Sequence, residues 1–268
     1  MVDRMLPKAA AAALLIGAAA PPVADSAGNR IAPFASVERA LSADGEQSPF
    51  AVHCTADRRW CARLRRNEAR DEWRLEVRDG AGEARGYVLA GQEEGDARFA
   101  IRPELVREAG GAVLIQVERT RTTGFSGGGA SATHVELVRA VPGAAAPGGV
   151  LDVPVRAGKD IRACFGERDR RARRDACSDQ YEFAAALTLD PATRAGRPRF
   201  RLAAQARTYP GRRMLDADST TAPPLRRSDL VWAADPACSY RRRLAYDEAA
   251  GRYLPDAPIP DCADYLDF

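Results

Sequence analysis

The chain has 268 residues, 46% of them hydrophobic, which is enough for one large domain or two modest ones. Its 40 basic and 37 acidic residues leave a net charge of only +3, and the two signs are mixed along most of the chain. A protein that binds nucleic acid through phosphate contacts is expected to concentrate its basic charge in one stripe or domain. The composition therefore predicts no nucleic-acid partner.

Residues 1–26 have the features of a secretory signal peptide. Two basic residues precede the uncharged, alanine-rich run 9–20, and small residues follow it. This run is shorter than the roughly 20 residues of a transmembrane helix. We predict cleavage after Ser26, with cleavage after Ala20 as the alternative. No later segment is apolar enough to cross a bilayer, so the mature protein is predicted to be periplasmic or secreted, without a transmembrane segment.

Much of the remaining chain alternates between apolar and polar residues with a period of two, which is typical of half-buried strands. The clearest case places Phe200, Leu202, Ala204 and Ala206 on one face and mostly arginines on the other. The same alternation recurs in three further segments, 73–78, 113–117 and 183–189. One packed face and one wet face favour antiparallel sheets. We therefore predict a mostly β protein with antiparallel sandwich or barrel-like lobes, stapled by disulfides.

One or two short helices are predicted between the strands. Pro103–Gly110 has proline near its start and glycine at its end, and Gly166–Ala176 is short and highly charged. Near the C-terminus, residues 244–254 are predicted to form a hairpin in which Gly251 takes the positive φ of the loop.

A domain boundary is predicted at residues 142–149, which contain two prolines, three glycines and no charge. This linker would separate an N-terminal β lobe, residues 27–141, from a C-terminal β lobe, residues 150–268. The alternative is that the same residues form a surface loop within one domain.

Six cysteines fall into three pairs that are close in sequence. After a secretory leader, an even number of cysteines predicts disulfides. Local pairing is one of several possible connectivities, and it would place one bridge in the first lobe and two in the second. No C-x-x-C spacing occurs, which argues against a zinc site or a redox-active dithiol, so no metal or cofactor is predicted. The predicted local pairs are Cys54 with Cys61, Cys164 with Cys177, and Cys238 with Cys262.

Two short motifs suggest a serine hydrolase as an alternative function. Residues 124–128 match the G-x-S-x-G pattern of a nucleophile elbow, although a strand and not a helix is predicted to follow. His53, followed by a cysteine, and Ser126, followed by two glycines, are similar to the histidine and serine motifs of chymotrypsin-like proteases. The resemblance covers only these residues and implies a triad with Ser126 as nucleophile. The base would be His53 or His134.

The densest basic run lies in the second predicted helix, with acidic residues interleaved. Pairs at i,i+4, such as Glu167 with Arg171 and Asp169 with Arg173, predict a solvated face that neutralises itself. The alternative is a contact with an anion or an acidic surface. The candidate residues for that contact are Arg168, Arg170, Arg171, Arg173 and Arg174.

Most of the tryptophans and of the tyrosines near the C-terminus are predicted to pack in the core, because strands favour aromatic residues. No complete catalytic set is predicted. The sequence therefore favours an exported, non-enzymatic β protein with a binding or scaffolding role, whose partner is an envelope component or an acidic surface. The serine hydrolase stays the alternative.

Overall fold

A computed structural model of the protein describes residues 24–41, 47–67, 70, 72–91, 97–211 and 222–268. The predicted signal peptide lies outside this part of the chain, apart from its last three residues. Within the described residues, 56% strand and 6% helix confirm the predicted mostly β fold with short helices.

The described residues form fifteen strands, two α-helices and one 3-10 helix at Arg227–Asp229. The strands are β1 (Arg30–Pro33), β2 (Ala35–Leu41), β3 (Gln47–Cys54), β4 (Trp60–Asn67), β5 (Glu72–Asp79), β6 (Arg85–Val88), β7 (Arg98–Arg107), β8 (Val113–Phe125), β9 (Gly128–Ala140), β10 (Gly148–Arg162), β11 (Ser178–Leu189), β12 (Phe200–Tyr209), β13 (Ala233–Ala234), β14 (Arg241–Asp247) and β15 (Arg252–Pro255). The helices are α1 (Glu167–Ala172) and α2 (Ala263–Leu266).

The strands build two antiparallel sheets. The smaller sheet has the order β2-β3-β4-β5-β6, and the larger has the order β1-β7-β8-β9-β10-β11-β12-β14-β15, with β13 paired to β12. Every neighbouring pair of strands is antiparallel, and β15 comes back into contact with β10. The larger sheet therefore coils on itself, while the smaller sheet lies against one of its faces.

Two apolar cores share the central strands of the larger sheet. In β8, Val113 and Ile115 are fully buried in the core between the sheets, and Leu114 is fully buried in the core inside the coiled sheet. In β9, Val138 belongs to the first core and Leu137 to the second. Successive strand residues point to opposite faces, so these strands are buried on both sides.

The predicted helix at Pro103–Gly110 is wrong, because residues up to Arg107 belong to β7. The segment pairs with β1, where Leu105 lies opposite Ala32. Leu105 is buried in the core between the sheets and Val106 in the other core, and a two-turn surface helix could not fill both. Pro103 is tolerated because it lies where the register of β7 against β8 shifts.

The predicted linker at residues 142–149 lies at the turn between β9 and β10. Gly143 takes a positive φ of 71°, and the N–H of Ala144 donates to the carbonyl oxygen of Val141 at 3.1 Å. Pairing between β9 and β10 begins again at Gly148, so the larger sheet continues across the predicted boundary. The division into two lobes stays a prediction.

All three predicted disulfides are present. Cys54 and Cys61 lie opposite each other on β3 and β4. The bridge between Cys164 and Cys177 encloses α1, and the bridge between Cys238 and Cys262 joins the segment before β14 to the start of α2. Each bridge therefore closes a local loop near the end of a strand pair or at the C-terminal segment.

The bridges are expected to stabilise the fold in order of loop length. In the loop-entropy treatment, replacing Cys238 and Cys262 by alanine costs about 3.5 kcal/mol of unfolding free energy, and replacing Cys54 and Cys61 costs about 2.5 kcal/mol. The reason is that the first pair is 24 residues apart in sequence and the second only 7. Urea unfolding of the two double variants measures the difference, and a reversed order would contradict this account.

The described chain begins inside the predicted leader, and its first residues belong to the fold. Asp25 is buried, and its Oδ1 accepts the backbone N–H groups of Ala27 and Asn29, each at 2.9 Å. Its Oδ2 accepts a hydrogen bond from Asn29 Nδ2 at 2.8 Å. The Oδ1 of Asn29 in turn accepts the backbone N–H of Ala109 at 3.0 Å. Removal of a leader after Ser26 would take Asp25 out of this network.

We expect Asp25→Ala to lower the unfolding free energy by about 1–3 kcal/mol, because buried donors lose their acceptor. Asp25→Asn, which keeps one acceptor oxygen, should lose less. Urea unfolding measures both variants. If the leader is cleaved, the mass of the exported protein should place its first residue at or before Asp25, and a mature chain that starts at Ala27 would contradict this expectation.

Candidate functional site

Ser126 lies exposed at the tip of the hairpin between β8 and β9. His134 lies on β9 opposite Arg119, six pairs along the ladder from the last pair, Phe125 with Gly128. At about 3.3 Å per residue this separation is about 20 Å. The structure therefore does not bring Ser126 and His134 together.

His53 lies even farther from Ser126. Its Nδ1 donates to the carbonyl oxygen of Phe34 at 3.1 Å. The turn that follows β3 is fixed to the opposite end of β8, because Asp57 binds Arg107 at 2.7 Å and Arg107 pairs with Val113. Ser126 follows the other end of β8, so nothing in this arrangement assembles a nucleophile and a base.

A cluster of polar side chains lies at the seam between the two sheets. This seam cluster consists of Tyr87, Arg119, His134, Glu136 and Asp152. The Oη of Tyr87, on β6 of the smaller sheet, donates to Glu136 Oε1 on β9 of the larger sheet at 2.6 Å. His134 lies on the same side of β9 as Glu136, whereas Val135 and Leu137 face the core inside the coiled sheet.

Every carboxylate oxygen of the seam cluster accepts a hydrogen bond. Glu136 Oε2 accepts the backbone N–H of Ala90 at 3.2 Å. Asp152, which lies opposite Glu136 on β10, accepts from His134 Nδ1 at 3.1 Å and from Arg119 at 3.2 Å through its two oxygens. Burial raises the pKa of the Glu136 carboxyl and also the pKa of the Tyr87 hydroxyl.

A cleft of about 400 Å³ adjoins the cluster and is lined by Tyr87, Glu136 and Asp152 together with apolar residues of β10 and β15. The donors and acceptors named above are used within the protein. The cluster is therefore best described as a polar connection between the sheets, and it leaves no nucleophile beside a free base.

Gly149 is essential to this connection. A Cβ at this position would overlap Tyr87 Oη and lie 2.8 Å from Glu136 Oε1, whereas a Cβ at the neighbouring Gly148 would meet no atom within 4 Å. We expect Gly149→Ala to break the bond between Tyr87 and Glu136 and to cost about 1–3 kcal/mol of unfolding free energy. Gly148→Ala is the matched control and should change the unfolding midpoint little. Equal midpoints for the two variants would contradict this role.

The predicted basic run lies at one end of the larger sheet, in and after α1. Arg170 pairs with Glu167 at 3.0 Å and with Asp175 at 2.9 Å, so the run neutralises itself through partners other than those predicted. The predicted pairs do not form, because Glu167 pairs with Arg170, Arg173 pairs with Asp179, and Asp169 accepts the backbone N–H of Phe165.

The five candidate arginines separate into two groups. Arg173 is buried and pairs with Asp179, so it is unavailable to an external anion. The Nε of Arg174 donates to the carbonyl oxygen of Leu225 at 2.9 Å. Arg168 and Arg171 are exposed, and neither has an ion-pair partner among the described residues.

Exposed apolar side chains lie at the same end of the larger sheet as these arginines, and the sequence does not predict them. Six large hydrophobic residues are exposed in the described part of the chain, and four of them lie at this end of the sheet. These four are Phe165 (63% exposed), Val231 (53%), Phe125 (45%) and Trp232 (37%). Most of the other aromatic residues, including Trp60 and Tyr253, are buried as predicted.

Strand pairing brings the four residues to the same end of the larger sheet. Gly128, the partner of Phe125, lies opposite Ile161 at the end of β10, just before Phe165. On the other side of β11, Tyr209 lies at the same end of the sheet, where β12 ends, and its ring is 5.5 Å from that of Trp232. Five adjacent strands at about 4.8 Å spacing span about 19 Å. We call the surface formed by Phe125, Phe165, Val231, Trp232, Arg168 and Arg171 the basic–aromatic rim.

Within the described residues, the structure shows neither a metal site nor a membrane-spanning helix. No group of three or more histidine, cysteine or acidic side chains there is arranged to hold a metal ion. Nor does any helix in that part of the chain have the length and apolar character needed to cross a membrane. Comparison with protein-family models, curated proteins and solved structures finds no match.

Proposed function

We propose that the protein is exported to the periplasm or secreted, and that it acts as a non-enzymatic binding or scaffolding protein that contacts an acidic surface through the basic–aromatic rim. The observation that carries this proposal is the exposure of Arg168 and Arg171 without ion-pair partners, beside exposed aromatic residues.

Export is supported by the leader-like N-terminus and by the disulfides. Three bridges with no free cysteine among the described residues fit an oxidising compartment, where such bonds persist. An envelope component is therefore the expected partner.

A binding role is supported by the charge distribution on the rim. Residues 162–179 contain six arginines and four acidic residues. Two of those acids neutralise Arg170, a third neutralises the buried Arg173, and the carboxylate of Asp169 accepts the backbone N–H of Phe165 at 2.8 Å. The positive excess is therefore left on exposed side chains, which attract a polyanion.

The serine hydrolase gains no support from the structure. Ser126 lies at the rim, and both histidines are bonded elsewhere. The rim therefore supports binding better than catalysis.

Charge reversal tests the proposed function. We expect Arg168→Glu with Arg171→Glu to weaken binding to immobilised heparin at least about 30-fold at low salt, since each basic residue near an anionic surface contributes about 1 kcal/mol and each new carboxylate adds repulsion. The matched control is Arg194→Glu with Arg199→Glu, because both residues are exposed and lie in the connection at the opposite end of β11 and β12. Similar loss in the two double variants would show a net-charge effect without a site, and unchanged retention of the rim variant would refute the proposal.

A further inference from the structure

We infer that the acidic surface is an anionic phospholipid bilayer, and that the basic–aromatic rim docks on it with Phe165, Val231 and Trp232 in the headgroup region. This inference rests on the proposed function and specifies its partner. It depends on the combination of exposed apolar side chains with unpaired arginines, which a soluble polyanion alone does not require.

The apolar residues of the rim are arranged as separate anchors. Phe125 lies at the tip of one hairpin, Phe165 in the loop before α1, and Val231 and Trp232 in the segment before β13. Charged residues of α1 and of the 3-10 helix lie in the same connections. Four of the six exposed large hydrophobic residues of the described chain lie at this one end of the sheet, among basic side chains, and such a mixture suits the boundary between lipid headgroups and acyl chains.

Two of the exposed rings have an arginine over their face. The guanidinium carbon of Arg162 lies 5.2 Å from the centre of the Phe165 ring, and that of Arg207 lies 4.5 Å from the centre of the Trp232 ring. An aromatic ring with a cation beside it can place its apolar body below the phosphates while the cation stays at their level. Arg207 also pairs with Glu182, whereas Arg162 forms no ion pair among the described residues, so the arrangement at Phe165 is the one that suits an anionic headgroup region.

The anchors are also held in position before any contact with a membrane. Cys164, next to Phe165, is bridged to Cys177 across the base of the connection. Trp232 pairs with Gly211 and packs on Tyr209 at the end of β12. Because these residues are fixed by the sheet and a disulfide, docking requires little further ordering of the chain.

The test compares vesicles of phosphatidylcholine alone with vesicles that contain equal parts of phosphatidylcholine and phosphatidylglycerol. The wild-type protein should sediment with the anionic vesicles and not with the neutral ones, and its tryptophan emission should shift to shorter wavelength. Trp232 is the reporter, since Trp60 is buried and Trp73 only partly exposed.

Apolar and electrostatic contributions can be separated with Phe165→Ser and Val231→Ser. The double variant should bind anionic vesicles at least about tenfold more weakly than the wild type does, while its retention on heparin stays unchanged. The matched control is Val37→Ser with Val88→Ser, because these two valines are exposed away from the rim. It should bind vesicles like the wild type. Unfolding midpoints check that each variant folds, and if Phe165→Ser does not fold, Val231→Ser alone makes the comparison.

The outcomes distinguish the two proposals. Retention on heparin without sedimentation with anionic vesicles would overturn the membrane inference and leave the proposed function standing, with a soluble or protein-borne polyanion as the partner. Equal vesicle binding by the wild type and by the variant with Phe165→Ser and Val231→Ser would also overturn it. Failure of the wild type to bind either heparin or anionic vesicles would overturn both proposals.

Discussion

Burial of the central strands on both faces is the constraint on which the rest of the structure depends. Val113 and Ile115 contact one core and Leu114 the other, so neither face of the first half of β8 can be left to water. The smaller sheet covers one face, and the strands from β10 to β15 coil round to cover the second. Loss of the packing on either face would expose apolar surface to water, at a free-energy cost of about 25 cal/mol per Å². The two halves of the chain therefore stabilise each other.

The same constraint limits where polar side chains can lie. Glu136 lies on the face of β9 that meets the smaller sheet, where an unpaired carboxylate would be costly. Its oxygens, and those of Asp152 beside it, are therefore all engaged by donors from both sheets. A network satisfied in this way specifies how the sheets meet, and it has little capacity left to bind or transform a ligand. Unpaired cations and exposed rings are found instead where the strands end.

Local sequence patterns predict the strands that have one wet face, and they fail where burial depends on distant strands. Segment 200–206 alternates in burial as its sequence does. The disulfides were also predictable, since each links cysteines close in sequence. Pro103–Gly110 has the terminal residues of a helix, but it forms a strand because it pairs with β1 and contributes to two cores. Both of these contacts involve residues distant in sequence. The apolar part of the rim is not predictable for the same reason, because Phe165 and Trp232 are 67 residues apart in the numbering and come to one end of the sheet only through the order of the strands.

The position of the rim explains why a disulfide lies beside it. Ladder pairing between β10 and β11 ends at Arg162 and Ser178, and the bridge between Cys164 and Cys177 closes the connection just beyond that pair. Without the bridge, the connection that carries Phe165 and the arginines of α1 would be held by hydrogen bonds and the ion pair of Arg173 with Asp179 alone, and any ordering required on contact would oppose binding. The bridge thus extends the rigidity of the sheet to its last exposed residues. The proposed docking on a flat partner would require side chains fixed in this way, whereas an enclosed active site would require an assembled cavity.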